Sequence, residues 1–223
     1  MAPLSNPIGV GSVIRRVLAV YANRGVLVIS VALTISVATA ALDTLVRGVR
    51  VASLLSLPIG HVGGAVLTGM LVALFADMQD ARGDAGVKKL ALAVRPVLWR
   101  LIIVSFVAGL GEIIGLFLIV IPGLLLLTIW AVYAPVVVLE HPPGLVALDR
   151  SRELVRGNGW RVFAVVFVPF ILKPAIGIGT FFAHHPEAIS TAFVVPVVTG
   201  TLIAPVAALL SASLYFELRR SAT

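Results

Sequence analysis

The sequence predicts an all-α polytopic membrane protein: six transmembrane helices, amphipathic interfacial helices between them, and an N-in/C-in topology. Three observations carry the prediction. The composition is 60% apolar and 12% charged with a mean hydropathy of +1.10, whereas soluble domains hold roughly 45–50% apolar and 25% charged residues. The stretch from Leu101 to Leu139 contains a single charged side chain, Glu112, and a single obvious break, Pro122-Gly123. One helix over that run would reach roughly 58 Å, about twice the ~30 Å hydrocarbon thickness of a bilayer, so the run must fold back on itself. Third, the basic residues alternate between flanks in a way that fixes orientation.

The elements follow in order. Met1 to Gly11 lacks a basic region running directly into an apolar core and a small-residue cleavage site, so no removable signal peptide is expected. Over 10–22, Val13, Ile14, Val17, Leu18, Val20 and Tyr21 share one helical face with Arg15 and Arg16 opposite, the pattern of a helix lying in the headgroup plane. Spans over 25–46 and 58–77 follow. A second interfacial helix, 86–96, sets Val87, Leu90, Ala91 and Val94 beside Lys88, Lys89 and Arg95. Spans 98–121 and 124–140 form the next hairpin, with Pro122-Gly123 as its expected turn. The fourth span, at about 17 residues, is at the lower limit for crossing, and Pro135 is expected to kink it. The third interfacial helix, 144–156, places Leu145, Leu148, Leu154 and Val155 beside Asp149, Arg150, Arg152, Glu153 and Arg156. Spans 160–182 and 190–216 complete a single integral membrane domain, 1–223.

With the N-terminus inside, the cytoplasmic segments collect Arg15, Arg16, Arg24, Arg82, Lys88, Lys89, Arg95, Arg100, Arg150, Arg152, Arg156, Arg161, Arg219 and Arg220. Of the 17 basic residues only Arg47, Arg50 and Lys173 fall elsewhere, a strong positive-inside bias. Each interfacial helix precedes an outward and an inward span, which suggests three loosely repeated units near 10–80, 86–140 and 143–218. Their residue-level identity is poor, so the general grammar of membrane hairpins describes them equally well.

Composition also excludes. There are no cysteines, so disulfides, thiolate metal sites and thiol nucleophiles are ruled out. The net charge of +7 belongs to cytoplasmic helix flanks, and no basic, aromatic-interleaved segment points to nucleic acid. No Walker loop, nucleophile elbow or HExxH motif is present, and no cofactor is expected.

Glu112 is the sharpest single residue, because a carboxylate in hydrocarbon is costly unless paired, protonated or facing a polar cavity. Lys173 in span five poses the same problem. Counted from the cytoplasmic ends of two spans running the same way, both lie roughly 20 Å deep at 1.5 Å per residue, so an intramembrane pair is geometrically allowed. A structural pair is the plainer reading; a gate or the polar floor of a cavity is the functional one. Gly111 and Gly115 beside the carboxylate allow close helix approach. His184, His185 and Glu187 share a presumed outer loop; two imidazoles and a carboxylate could ligate zinc or copper, but the spacing matches no metalloprotease helix motif, and they are read as solvated. His61 could join them. Asp77, Asp80 and Asp84 with Arg82 and Gly83 read as a solvated turn in which Asp77 faces Lys88 or Lys89.

His141 to Phe163 reads HPPGLVALDRSRELVRGNGWRVF. Pro142-Pro143 opens a short helix, Gly157 suits the left-handed position after it, Asn158 can cap the next helix, and Trp160 would anchor at headgroup level. Together with Pro122-Gly123, Trp130 and the Pro135–Glu140 run, the residues Leu148, Ser151, Glu153, Arg156, Gly157 and Trp160 resemble the bacterial membrane-domain family named after glycerophosphoryl diester phosphodiesterase. The closing Leu214-Tyr215-Phe216-Glu217-Leu218-Arg219 is similar to that family's ending. The resemblance is strongest over 118–163 and implies a six-helix inner-membrane protein. Where that family is fused to a phosphodiesterase, a separate soluble barrel carries the catalysis; this chain has neither the barrel nor its metal-binding acidic motifs, so the activity is not implied.

The expected role is therefore non-enzymatic: an integral protein of the bacterial cytoplasmic membrane, serving envelope or lipid-related processes or another membrane component. The alternative is a small transporter or channel with a midplane polar site at Glu112 and Lys173, for which Pro135, Pro174, Pro196 and Pro205 would interrupt helices. Membrane lipids are the expected partners, with anionic headgroups held at the cytoplasmic face by Arg15, Arg16, Lys88, Lys89, Arg150 and Arg152. A homo-oligomer and a second membrane protein both stay open as further partners.

Overall fold

A computed structural model describes residues 9–46, 52–80, 86–118, 120–183 and 189–222, with side chains described except at 52–57, 172–183, 189–192 and 222. The protein is all-helical, with no strand among the described residues. The order is α1 (Val10–Val46), α2 (Ala52–Gln79), α3 (Val87–Val94), α4 (Leu98–Leu118), α5 (Val120–Ile129), α6 (Tyr133–Glu140), α7 (Val146–Val155), α8 (Gly159–Ala183) and α9 (Ile189–Ala222).

Five stretches are long and apolar enough to cross a membrane: Val10–Val46, Pro58–Gln79, Val87–Leu118, Val120–Glu140 and Phe193–Ser221. Helix α7 and the described part of α8 meet at a bend of 114° and pass the same test as a broken pair. The outer surface supports the membrane assignment directly. Val26, Ile29, Leu33 and Val37 on α1, and Ile103, Phe106, Leu110, Ile113 and Phe117 on α4, form exposed stripes at helical spacing. Val194, Val198 and Leu202 form a third on α9. Water would leave such stripes costly, whereas lipid tails match them. This is an integral membrane protein.

Local chemistry explains most boundaries. α1 is two helices merged across Arg24, whose φ of −135° and ψ of 20° leave the helical region. Gly25 follows and supplies no side chain to hold the turn, so the amphipathic segment 10–23 swings away from the apolar 25–46. The first segment buries Val13, Val17 and Val20 while Arg15 and Leu18 face out. Gly157 takes a φ of 87°, and the Arg156 N–H closes on the carbonyls of Arg152 and Glu153, ending α7.

Two breaks fall elsewhere than the sequence suggests. α4 ends at Leu118 and α5 begins at Val120, so Pro122 and Gly123 sit inside the first turn of α5. Proline is tolerated there because the first helical N–H groups have no intrahelical acceptor in any case. Gly123 serves the packing of the hairpin: a Cβ on it would lie 2.5 Å from the Leu116 backbone nitrogen, so only glycine lets the two helices touch. Pro135 likewise lies in the first turn of α6, and the interruption precedes it, at Trp130-Ala131-Val132.

One end of the bundle is densely packed. There the first segment of α1, α3, α6, α7 and the last turns of α9 close around Leu71, Phe75, Leu90, Val94, Leu214 and Leu218. Helix α6 is buried at Ala134 through Val138, with α2, α4, α7 and α9 as its neighbours. The α4–α5 hairpin packs on α2 and α8, and α1 lies along α9 and α2. Between these groups, away from the packed end, the helices part.

Candidate functional site

Where they part they leave a cleft of about 830 Å³ walled by α1, α2, α4, α5, α6, α8 and α9. Its polar lining comes from Ser36, Thr39 and Asp43 on α1, His61 and Thr68 on α2, Ser105 and Glu112 on α4, Tyr133 on α6, and Thr199 and Ser211 on α9. Apolar groups such as Leu101, Val166 and Ile203 fill the intervals. Helix α1 closes tightly on its neighbours at two points, where Gly63 faces Thr39 and Gly200 faces Ser36.

Glu112 faces this cleft. The Trp130 ring lies over Gly111, where an added Cβ would meet Cζ3 at 2.7 Å, so the indole is held beside the carboxylate. Tyr133 lies within electrostatic reach of Glu112, with its hydroxyl against Ser105. Ser105 Oγ and His61 Nε2 are hydrogen-bonded at 2.9 Å, and the His61 ring stands edge-on to Phe106 at 5.7 Å. The Lys173 side chain lies outside the described residues. Its helix reaches the cleft through Val166, Pro169 and Phe170. α8 packs chiefly on α9 and α5, and α4 on α5, α2 and α6.

A second polar cluster holds the packed end together. Glu140 accepts a hydrogen bond from the Tyr215 hydroxyl at 2.8 Å and pairs with Arg150 Nε at 3.1 Å. Arg150 also reaches Glu153 at 3.1 Å, and Arg219 donates to the Tyr215 oxygen at 3.4 Å. Glu217 pairs with Arg16 at 2.8 Å and accepts from Ser12 Oγ at 3.0 Å. Three chain regions distant in sequence thus close on one another through charge-assisted bonds.

Neither a family profile, nor a curated protein, nor a solved structure matches the chain. Its residues must therefore be read on their own geometry.

Ser151, singled out from the sequence, is fully buried; its hydroxyl donates to the Ile129 carbonyl at 2.9 Å and accepts from the Val132 N–H at 3.3 Å. Ser211 Oγ donates to the Ala131 carbonyl at 2.7 Å. These two serines satisfy backbone groups that the break between α5 and α6 leaves without helical partners. Leu148 is buried in the core, whereas Glu153, Arg156 and Trp160 are exposed, Trp160 stacking on Phe163 at 5.5 Å. Arg15, Lys88 and Arg152 are exposed, and Lys89 pairs with Asp77 at 3.5 Å. His184, His185, Glu187, Arg82, Gly83 and Asp84 lie outside the described residues. Among those described, no three His, Asp or Glu side chains gather as a metal would require.

Sequence reasoning missed Asp43, although it is the lone charge in the Gly25–Val46 run and was open to the argument applied to Glu112. Ser36, Thr39, Tyr133 and Thr199 carried no signal of their own. Small hydroxyl residues in membrane helices commonly bond their own backbone, as Thr39 does to Ile35 at 2.5 Å and Thr199 to Val195 at 2.8 Å.

Proposed function

We propose that the chain is a small transporter or channel whose solute site is the cleft between its helices. The carrying observation is the cleft itself: about 830 Å³ with Asp43, His61, Glu112 and Tyr133 on its walls. A carboxylate among apolar helices is costly to hold unless it is paired or faces a polar space, and this cleft offers Glu112 such a space. The size falls in the range of ligand pockets, roughly 300–1,000 Å³, and a mostly apolar wall with a few polar groups is their usual lining. The reading includes no catalysis.

The same reading takes α7–α8 as interfacial helix plus span, giving six spans in a bacterial cytoplasmic membrane with both termini inside. The distribution of Lys and Arg supports it. Membership of the membrane-domain family stays part of the proposal, supported by the residues quoted above. Exposed Arg15, Lys88 and Arg152 on the short amphipathic segments favour anionic headgroups as the lipid partner, each cation contributing about 1 kcal/mol near a charged surface.

Reconstitution into liposomes tests the main claim. Solute flux that is abolished by Glu112→Gln, in a variant that still folds, is the expected result. A bilayer that stays silent toward organic cations, anions and neutral solutes would refute it.

A further inference from the structure

We propose that the break in α1 holds the phosphate of a membrane phospholipid. Where Arg24 leaves the helical conformation, a notch of about 390 Å³ opens beside the break, lined by Tyr21, Asn23, Arg24, Val26 and Ser30 among others. It shares no lining residue with the cleft, and it stands or falls without the solute site. Its polar groups divide into two kinds. The Asn23 amide donates to the Ala19 carbonyl at 2.8 Å and the Ser30 hydroxyl to the Leu27 carbonyl at 3.0 Å, so both are answered within the helix. The Arg24 guanidinium and the Tyr21 hydroxyl, on half-buried residues, have no hydrogen-bond or ion-pair partner among the described residues. Partial burial without a partner is costly for a cation, and both groups are donors. A phosphodiester supplies what they lack: one negative charge, and oxygens that a guanidinium grips in pairs.

What adjoins the notch assigns that phosphate to a lipid. Arg24 closes the apolar 25–46 segment, where hydrocarbon gives way to headgroups. Val26 lines the notch, is 88% exposed, and with Ile29, Leu33 and Val37 begins the exposed stripe along α1. The 11 residues from Val26 to Val37 rise about 16 Å at 1.5 Å per residue, close to half of the ~30 Å hydrocarbon core. A headgroup at Arg24 therefore has beside it an apolar track one leaflet deep for an acyl chain. This is not the diffuse attraction of Arg15, Lys88 and Arg152 to a charged surface. It is one lipid in one notch, recognised through its phosphate.

The test follows phosphatidylglycerol with a fluorophore on one acyl chain as it binds the full-length protein in dodecyl maltoside, by fluorescence anisotropy against detergent alone. Saturable binding is expected. Arg24→Gln should weaken it about tenfold, the loss of a charge-assisted bond, and Tyr21→Phe by a smaller factor. Arg95→Gln, which removes the same charge from an exposed position on another element, should leave it unchanged. Size-exclusion and far-UV dichroism profiles should match the parent in all three. Unlabelled phosphatidylglycerol should compete and diacylglycerol of the same chains should not, an arm that needs no variant. Competition by diacylglycerol as strong as by phosphatidylglycerol overturns the proposal, since the phosphate would then go unrecognised. A loss in Arg95→Gln equal to that in Arg24→Gln overturns it too, because diffuse surface charge would account for both. Displacement by millimolar inorganic phosphate gives the notch to a soluble phosphate and overturns the lipid assignment. Absence of saturable binding removes the site.

Discussion

Ser151→Ala tests whether the helix break at Trp130-Ala131-Val132 is built or merely tolerated. The Ser151 hydroxyl makes two bonds, to the Ile129 carbonyl at 2.9 Å and from the Val132 N–H at 3.3 Å, in a site with no solvent exposure. Interhelical hydrogen bonds in membrane proteins contribute about 0.6 kcal/mol on average and up to about 1.7, so two give roughly 1–3 kcal/mol. The upper half applies here, because alanine leaves a buried donor and a buried acceptor without partners. An expected loss is about 2 kcal/mol. Ser211→Ala removes one bond, to the Ala131 carbonyl, and should cost about half as much by the same per-bond figure. The double variant should depart from additivity, because both hydroxyls clasp one turn. Equilibrium unfolding by SDS titration in mixed micelles, followed by far-UV dichroism, measures all three. The reasoning fails if Ser151→Ala lies within about 0.5 kcal/mol of the parent, the ordinary scatter of a neutral site, or if Ser211→Ala costs more.

Three other expectations can be checked together. Gly123→Ala drives a Cβ to 2.5 Å and 2.7 Å from the Leu116 backbone and should cost about 1–3 kcal/mol by overpacking. Gly109→Ala on the same hairpin meets nothing within 4 Å and should be neutral or stabilising in that titration. Tyr215→Phe should lose about 0.5–1.5 kcal/mol with its bond to Glu140, whereas Glu140→Ala should lose more, because Arg150 also loses a partner. The cysteine-free chain suits topology mapping: in intact cells an impermeant maleimide should label Arg50→Cys but not Arg15→Cys or Asp149→Cys, and the reverse pattern would invert the proposed orientation.

The membrane character and the junction at Arg24-Gly25 could be read directly from the chain, since both depend on local composition. Gly157 was equally legible, because a glycine after a basic last turn has few other uses. The two breaks in the middle hairpin were not. Pro122-Gly123 and Pro135 look like interruptions, but proline begins a helix as readily as it ends one. What fixes the break at 130–132 is two serines, one about twenty and one about eighty residues away, and no window over α5 and α6 contains them. The cleft was legible residue by residue and illegible as a whole. Glu112 announced itself by isolation, and Asp43 did so as plainly once the same rule is applied. Whether they share a space depends on which helices are neighbours, which hydropathy does not encode. Depth matching paired Glu112 with Lys173, whose side chain lies outside the described residues, and the pairing rests on depth alone.

The two polar clusters divide the labour of the sequence. Glu140, Arg150, Ser151, Tyr215 and Arg219 join distant regions at the packed end, and they lie in the two segments, 118–163 and the closing 214–219, on which the proposed family resemblance rests. Asp43, His61, Ser105 and Glu112 lie outside the 118–163 stretch, which among the described residues gives the cleft Leu127, Trp130, Ala131, Tyr133 and Ala134. If the proposed kinship holds, it would transmit the clasp that sets α5, α6, α7 and α9, along with the two aromatic rings, Trp130 and Tyr133, that α6 and its preceding turn present. It would not transmit the carboxylates. Under the proposed solute-site reading, a relative with the same clasp but other residues at positions 43 and 112 would keep the architecture and change the cleft's lining.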